Sequence, residues 1–194
     1  MIGNTLRGLV DKFALPLGRK IGGLGISPNL VTLLGTLLVI LACALIIMER
    51  RFLGACVLAA GGFMDLLDGS IAKAMKAQSR RGAFLDSTTD RISDGALFAT
   101  MAWILVDSPL GFGLALAALV LGGLTSYIRA RAESLGFDCD VGIAERAERV
   151  ILVIAGLVLG ILVPMLAVLV VLSFVTVIQR FLHVLRQGRG VGPA

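Results

Sequence analysis

Four aspartates lie within 26 residues of a chain that is otherwise mostly apolar. Asp65 and Asp68 are three residues apart and Asp86 and Asp90 are four apart, so on helices each pair shares one face. An unpaired carboxylate near the centre of a bilayer costs about 2.5–3.5 kcal/mol. Two divalent cations would offset four such charges, and oxygen ligands suit Mg²⁺ or Mn²⁺ better than zinc. The spacing therefore predicts two helices that turn their carboxylates toward one site with two metal ions.

The composition indicates a membrane protein. Of the 194 residues, 57% are hydrophobic and only 16% are charged, which is too apolar for a soluble domain of this size. The net charge of +5 is spread among polar segments, and a single Trp and a single Tyr offer no platform for stacking bases. Nucleic acid is therefore not expected as a partner.

The apolar segments predict an all-α integral membrane protein with six transmembrane helices. The first is expected to begin after an N-cap at Ser27 with Pro28 in its first turn. The last two are expected to be short and to be divided by Gly160 and Pro164. The expected spans are 29–48, a second that starts near 52 and carries Lys73 near its end, 82–107, 110–133 and a hairpin between Arg149 and Arg180.

The N-terminal segment alternates apolar and basic residues. Over residues 2–20 this pattern predicts an amphipathic helix on an anionic membrane surface, and the alternative is an ordinary solvated helix. We therefore expect an amphipathic juxtamembrane segment over 1–25, a six-helix membrane domain over 26–187 and a loose C-terminal tail over 188–194.

The basic residues predict the orientation of the chain. With six spans, 15 of the 18 Lys and Arg residues lie on the side that holds both termini and the acidic site. The positive-inside rule makes that side cytoplasmic, in the inner (plasma) membrane.

A carboxylate site with two metal ions suits phosphoryl transfer, because the ions can hold a pyrophosphate and stabilise the leaving phosphate. Gly69 and Gly82 remove side chains beside the acids, where a bulky ligand could approach the backbone. Three alternatives remain open: ion pairing of the acids with nearby basic residues in a structural scaffold, solvated loop acids, and a small cation transporter.

The motif around these acids resembles that of the CDP-alcohol phosphotransferases. The run from Asp65 to Lys73 reads D-x2-D-G-x2-A-K, and G-x3-D-x3-D follows after eight residues. The family consists of integral membrane enzymes that join a CDP-linked lipid or alcohol to a second alcohol and release CMP. Lys73 departs from the pattern, since the family usually has Arg there. The resemblance implies nucleotide contacts from Asp68, Gly69, Ala72, Lys73 and Gly82. It also implies that Asp90, beside its role as a metal ligand, is the general base.

A set of arginines in the second half of the chain predicts a phosphorylated acceptor. Arginine binds phosphate through paired donors, although arginines at membrane edges also serve as topology markers. The candidate residues are Arg129, Arg131, Arg146, Arg149 and Arg180.

Three segments sharpen the resemblance: T-D-R-I-S-D-G from Thr89, Y-I-R-A-R-A-E from Tyr127 and E-R-A-E-R from Glu145. Together they resemble the phosphatidylinositol-phosphate synthases of actinobacteria and their archaeal relatives, with departures at Ala147 and Arg129. This branch implies transfer from CDP-diacylglycerol to the phosphorylated polyol inositol phosphate. Glycerol phosphate is the alternative acceptor. The resemblance favours a homodimer, and the many small residues permit close helix packing.

Overall fold

The computed structural model describes residues 16–23, 25–75 and 79–188, and these residues form helices and connecting turns without a strand. Residues 16–23 are helical. The six longer helices are α1 (Pro28–Ile47), α2 (Arg51–Ala74), α3 (Arg80–Ile104), α4 (Pro109–Ser134), α5 (Arg146–Leu159) and α6 (Leu162–Gly188). The chain divides into two compact units, Met1–Leu97 and Phe98–Ala194.

Four of the helices in the described ranges are long and apolar enough to cross a membrane: α1, α2, α4 and α6. The sequence predicted six spans. The helical fold and the membrane class are confirmed, whereas the number of spans is not. Helix α3 contains six charged residues. Helix α5 has 14 residues, which is about 21 Å of helix against a hydrocarbon core of about 30 Å.

Local sequence signals set the helix boundaries. The Ser27 hydroxyl accepts a hydrogen bond from the Leu30 amide at 3.3 Å, and Pro28 begins α1, as predicted. Ser108 and Pro109 repeat the arrangement at α4. Gly160, with φ +71°, ends α5 in the left-handed conformation that glycine favours.

In the first unit, α1 and α2 form a closely packed antiparallel hairpin. A Cβ on Gly61 would lie 3.2 Å from the Gly35 carbonyl oxygen, and one on Gly35 would lie 3.4 Å from the Gly61 carbonyl oxygen. Small residues therefore let the two backbones meet. The residues of α2 that follow this crossing carry the first two aspartates.

The helix over residues 16–23 packs against the C-terminal part of α2. A Cβ on Gly18 would lie 2.9 Å from the backbone of Ser70, and Ile21 packs against a small core of Val31, Leu67 and Ile71. Leu17 remains exposed. The amphipathic helix predicted over 2–20 falls mostly on residues 1–15, which lie outside the described residues.

In the second unit, α6 packs against both α4 and α5. The prediction of two short final helices is wrong for the second, because α6 runs for 27 residues and includes Arg180 and Arg186. Arg180 is 5% exposed and its guanidinium donates to backbone carbonyls, so its charge does not end the helix. Gly188, expected in the tail, is the last residue of α6, and 189–194 lie outside the described residues.

Candidate active site

Three of the predicted acids converge in the first unit. Asp65 and Asp68 on α2 and Asp86 on α3 each contribute a carboxylate oxygen, and these oxygens all lie within 4.8 Å of one another. Asp68 is buried and the other two are half-buried. Three like charges at this separation repel one another, and a divalent cation among them would relieve that repulsion. The donor set is entirely carboxylate oxygen, which fits Mg²⁺ or Mn²⁺.

Thr32 on α1 supports this cluster, and the sequence analysis missed it. Its hydroxyl donates to Asp68 Oδ2 at 2.5 Å, and the threonine itself is 8% exposed. A short hydrogen bond to a carboxylate fixes the orientation of that group. There was little indication of this role in the sequence. Thr32 lies one helical turn after Pro28, but residue spacing does not show which residues of α1 and α2 face each other.

A cavity of about 310 Å³ opens beside the acids within the first unit. Its walls come from the start of α1, the end of α2 and the start of α3. All five residues that the family resemblance implied for nucleotide contact are among those lining it. The lining residues are Pro28, Asn29, Thr32, Asp68, Gly69, Ala72, Lys73, Ser79, Gly82, Ala83 and Asp86.

The two glycines of the motif lie differently in this wall. A Cβ on Gly69 would meet no atom within 4 Å, so Gly69 leaves open space at the cavity. A Cβ on Gly82 would lie 3.1 Å from the Ser79 hydroxyl and 3.2 Å from Asn29 Oδ1. Gly82 therefore lets the α3 backbone pack closely against Ser79 and Asn29, while Gly69 leaves the cavity clear of a side chain.

Asp90 lies one turn after Asp86 on α3 but is not part of the three-carboxylate group. Its Oδ2 is 3.8 Å from the Arg91 guanidinium, and its side chain is 19% exposed. Asp94, one further turn along, is buried. The sequence predicted Asp90 as a metal ligand. In the structure it lies outside the three-carboxylate cluster and beside the Arg91 guanidinium.

Two of the predicted acceptor arginines meet in the second unit. Arg149 on α5 is 3% exposed, and its Nη1 donates to the Thr125 hydroxyl at 3.4 Å. Arg180 on α6 donates from Nη1 to the Thr125 carbonyl oxygen at 2.7 Å. Gly122 lies beside Arg149, since a Cβ there would be 3.7 Å from Nε. Thr125 is therefore the shared partner of two buried cations, and the sequence analysis did not identify it.

The other three predicted acceptor arginines differ from this pair in their burial and contacts. Arg129 donates from Nε to Glu133 at 2.8 Å, and its Nη2 is 3.8 Å from Asp140. Arg131 is exposed, and two residues along a helix place it on a different side from Arg129. Arg146 is half-buried, one turn before Arg149.

Comparison with known proteins identifies the family. The profile of the CDP-alcohol phosphatidyltransferases matches residues 25–183. This chain belongs to the CDP-alcohol phosphatidyltransferase family. The archaetidylinositol phosphate synthase of Methanothermobacter thermautotrophicus is 39% identical over 187 residues, which cover 93% of each chain. The phosphatidylinositol phosphate synthase of Mycobacterium tuberculosis is 39% identical over 155 residues, covering 77% of this chain and 71% of that protein.

Solved structures of the Mycobacterium tuberculosis phosphatidylinositol phosphate synthase have the same fold as this family member. The structure with CDP-DAG bound has a TM-score of 0.79 and 36% identity, covering 89% of this chain and 94% of that chain. The structure in complex with manganese and citrate also has a TM-score of 0.79, covering 89% and 88%. The resemblance expected from the motif is confirmed, and with it the assignment of the chain to a family of membrane transferases that depend on divalent metal.

Proposed function

We propose that this chain transfers a phosphatidyl group, or its ether-linked counterpart, from a CDP-linked lipid to inositol phosphate and releases CMP. The observation that carries the proposal is the cavity lined both by Asp68 and Asp86 of the three-carboxylate cluster and by all five residues of the nucleotide motif. The names of the relatives support inositol phosphate as the acceptor. The Mycobacterium tuberculosis synthase was solved with CDP-DAG bound, which supports the donor.

Asp65, Asp68 and Asp86 are the residues that we expect to hold divalent metal, with Asp90 as a further ligand to the second of two ions. When bound, Mg²⁺ or Mn²⁺ would supply charge neutralisation at the donor pyrophosphate. Thr32 holds the Asp68 carboxylate through its hydroxyl, which keeps one ligand oriented before the donor arrives.

The nucleotide end of the donor is expected in the cavity beside the cluster. Gly69 leaves the α2 backbone open to the cavity, so the nucleotide can approach that helix closely. Lys73, also in the cavity wall, supplies a single positive charge where the family usually has the forked guanidinium of Arg. Asp68, Ala72 and Gly82 complete the proposed nucleotide contacts.

Asp90 is the proposed general base. Its carboxylate takes the proton of the acceptor hydroxyl as that oxygen bonds to the β-phosphorus of the donor. The bond from this phosphorus to the bridging oxygen breaks, and CMP leaves with both bonding electrons. The Arg91 guanidinium lies 3.8 Å from this carboxylate.

The acceptor phosphate is assigned to arginines of the second unit: Arg129, Arg131, Arg146, Arg149 and Arg180. Arg149 and Arg180 carry the assignment, because both are buried cations. Burial removes water from the guanidinium, which strengthens its attraction to a phosphate.

The finer arrangement in the membrane is also part of the proposal. We expect α3 and α5 to join the four apolar helices as the fifth and sixth spans, with both termini and the acids on the cytoplasmic side of the plasma membrane. The basic residues support this orientation. Residues 1–25 would lie as an amphipathic segment at the membrane surface, 26–187 would form the catalytic domain, and the enzyme would act as a homodimer.

An acceptor panel tests the function. Purified enzyme receives CDP-diacylglycerol with Mg²⁺ or Mn²⁺, and CMP release is measured with inositol phosphate, glycerol phosphate, free inositol or serine. We expect release with inositol phosphate alone. Release only with glycerol phosphate would make the chain a phosphatidylglycerophosphate synthase, and release with none of the four would contradict the transferase assignment for this donor.

A further inference from the structure

The loop between α4 and α5 is held by three side chains of α6. These residues, Thr176, Arg180 and Gln187, are named here the loop clamp. They are spaced four and seven residues apart and therefore lie along one side of the helix. Each of them bonds to the backbone of the loop between residues 138 and 144, so that three separate points of one helix fix one short segment of chain.

Thr176 is the most buried member of the loop clamp. Its hydroxyl accepts from the amides of Ile143 at 3.3 Å and Ala144 at 3.0 Å, and it donates to the Leu172 carbonyl oxygen at 2.8 Å. These three bonds saturate the hydroxyl, and the residue is 0% exposed. Gly142 allows the approach: its φ is +136°, and a Cβ there would lie 2.6 Å from the Thr176 methyl group.

Arg180 and Gln187 hold the remaining part of the loop. Arg180 Nε donates to the Val141 carbonyl oxygen at 2.8 Å. The Gln187 amide forms two bonds with Asp138, donating to its carbonyl oxygen at 2.6 Å and accepting from its backbone amide at 3.0 Å. Side chains of α6 thus form hydrogen bonds with backbone groups of the loop, groups that in a helix or sheet would bond to other backbone groups.

The loop leads directly into α5, which carries Arg146 and Arg149 in its first turn. Glu145 is the N-cap residue that joins this loop to the helix. Arg149 is buried and reaches the Thr125 hydroxyl on α4. A displacement of the loop would therefore move the start of α5 and the Arg149 guanidinium with it.

We propose that Thr176 and Gln187 are positioning residues for the acceptor: they hold the loop between α4 and α5 so that Arg149 stays in place to bind the acceptor phosphate. This inference rests on the proposed function for the assignment of Arg149. It adds two residues that have no charge and that act through the loop backbone rather than on the substrate.

The central test compares Thr176→Val with Thr176→Ser and Ser173→Ala. The valine keeps the shape but leaves the amides of Ile143 and Ala144, the second of them buried, without this acceptor, whereas the serine keeps the hydroxyl. Ser173 is the matched control, because it is buried on the same helix and its hydroxyl has no hydrogen-bond partner among the described residues. We expect Thr176→Val to raise the acceptor KM roughly tenfold, with kcat and the donor KM within about twofold of wild type. Both other variants should match wild type.

Cys139 gives a structural readout of the same loop without any substrate. The residue is 1% exposed. Burial raises the pKa of its thiol, with the positive charge of Arg180 acting in the opposite direction. A buried, protonated thiol alkylates slowly, so release of the loop should speed its modification. We expect faster alkylation of the Cys139 peptide, measured by mass spectrometry, in Thr176→Val and not in Ser173→Ala.

The outcomes separate this inference from the proposed function. Wild-type enzyme that rejects inositol phosphate contradicts the proposed function, and the variants are then compared with whichever acceptor the wild type uses. A Thr176→Val enzyme whose donor KM rises as much as its acceptor KM would overturn the positioning role, and so would faster Cys139 alkylation with an unchanged acceptor KM. If Thr176→Val does not fold, Gln187→Ala at a half-buried position replaces it, with an expected acceptor KM about threefold higher and the same contradicting results.

Discussion

At the scale of single residues, the most informative side chain near the acids is one without charge. Thr32 donates to Asp68 Oδ2 from a neighbouring helix, and a residue that orients a metal ligand tunes the metal without touching it. Its neighbour Thr36, one turn further along α1, bonds only to the carbonyl oxygen of Thr32 among the interactions that the structure describes. The two threonines therefore form a natural pair for comparison.

Thr32→Val should weaken divalent-metal activation. The loss of the hydroxyl leaves Asp68 buried without its side-chain donor, so we expect the Mn²⁺ concentration for half-maximal CMP release to rise about tenfold. Thr36→Val removes a hydroxyl from the same helix and should leave the Mn²⁺ dependence unchanged. Equal metal dependence in the two variants would rule out a role for Thr32 in orienting the cluster.

Gly69→Ala should separate folding from donor binding. The added methyl group would meet no protein atom within 4 Å, so the thermal stability should hold, but the methyl would occupy space at the cavity. We expect the KM for the CDP-linked donor to rise roughly tenfold, equivalent to about 1.4 kcal/mol of binding free energy. Gly113→Ala, at an exposed helical glycine with similar open space, is the control. An unchanged donor KM would exclude Gly69 from the nucleotide contact.

At the scale of helices, the sequence predicted those features that depend on neighbouring residues in the chain. The Ser27–Pro28 start, the Gly160 end and the shared faces of Asp65 with Asp68 are confirmed because capping and helical periodicity are local. The length of α6 was missed because Arg180 looked like a helix end. Its guanidinium is instead satisfied by the carbonyl oxygens of Val141 and Thr125, which are distant in sequence. Contacts of Thr32 and Thr176 were missed for the same reason.

The crossing of α1 and α2 gives a prediction at this scale. Gly61→Val places two extra carbons where a Cβ alone would already lie 3.1 Å from Val39 and 3.2 Å from the Gly35 carbonyl oxygen. Overpacking of this kind costs about 1–3 kcal/mol, so we expect a lower melting temperature in detergent. Activity should also fall, because α2 carries Asp65 and Asp68.

Gly113→Val provides the matched control for the crossing, since valine has the same helix propensity cost at both sites but meets open space at Gly113. A melting temperature for Gly61→Val equal to that of Gly113→Val would show that the close approach of the two helices does not contribute to stability.

At the scale of the whole molecule, the two units hold different sets of candidate site residues. The first unit holds the three carboxylates and the cavity of the nucleotide motif, and the second holds the buried arginines. The proposed reaction needs both sets, one for the donor and one for the acceptor phosphate. Substitutions of the cluster and cavity residues in the first unit should therefore alter donor and metal dependence, while those of the buried arginines in the second should alter the acceptor KM.

The most direct test of the central claim is the metal dependence of transfer by wild type, Asp86→Asn and Asp107→Asn. Labelled inositol phosphate is supplied with the CDP-linked lipid, and the label in the extracted lipid is measured as Mn²⁺ is titrated into enzyme treated with EDTA. Asp107 is an exposed control outside the cluster. We expect wild type and Asp107→Asn to transfer the label only after Mn²⁺ is added. The transfer rate of Asp86→Asn should be lower by roughly a hundredfold or more. Transfer without metal, or near-normal transfer by Asp86→Asn, would contradict the assignment of the acidic cluster as the metal centre of this enzyme.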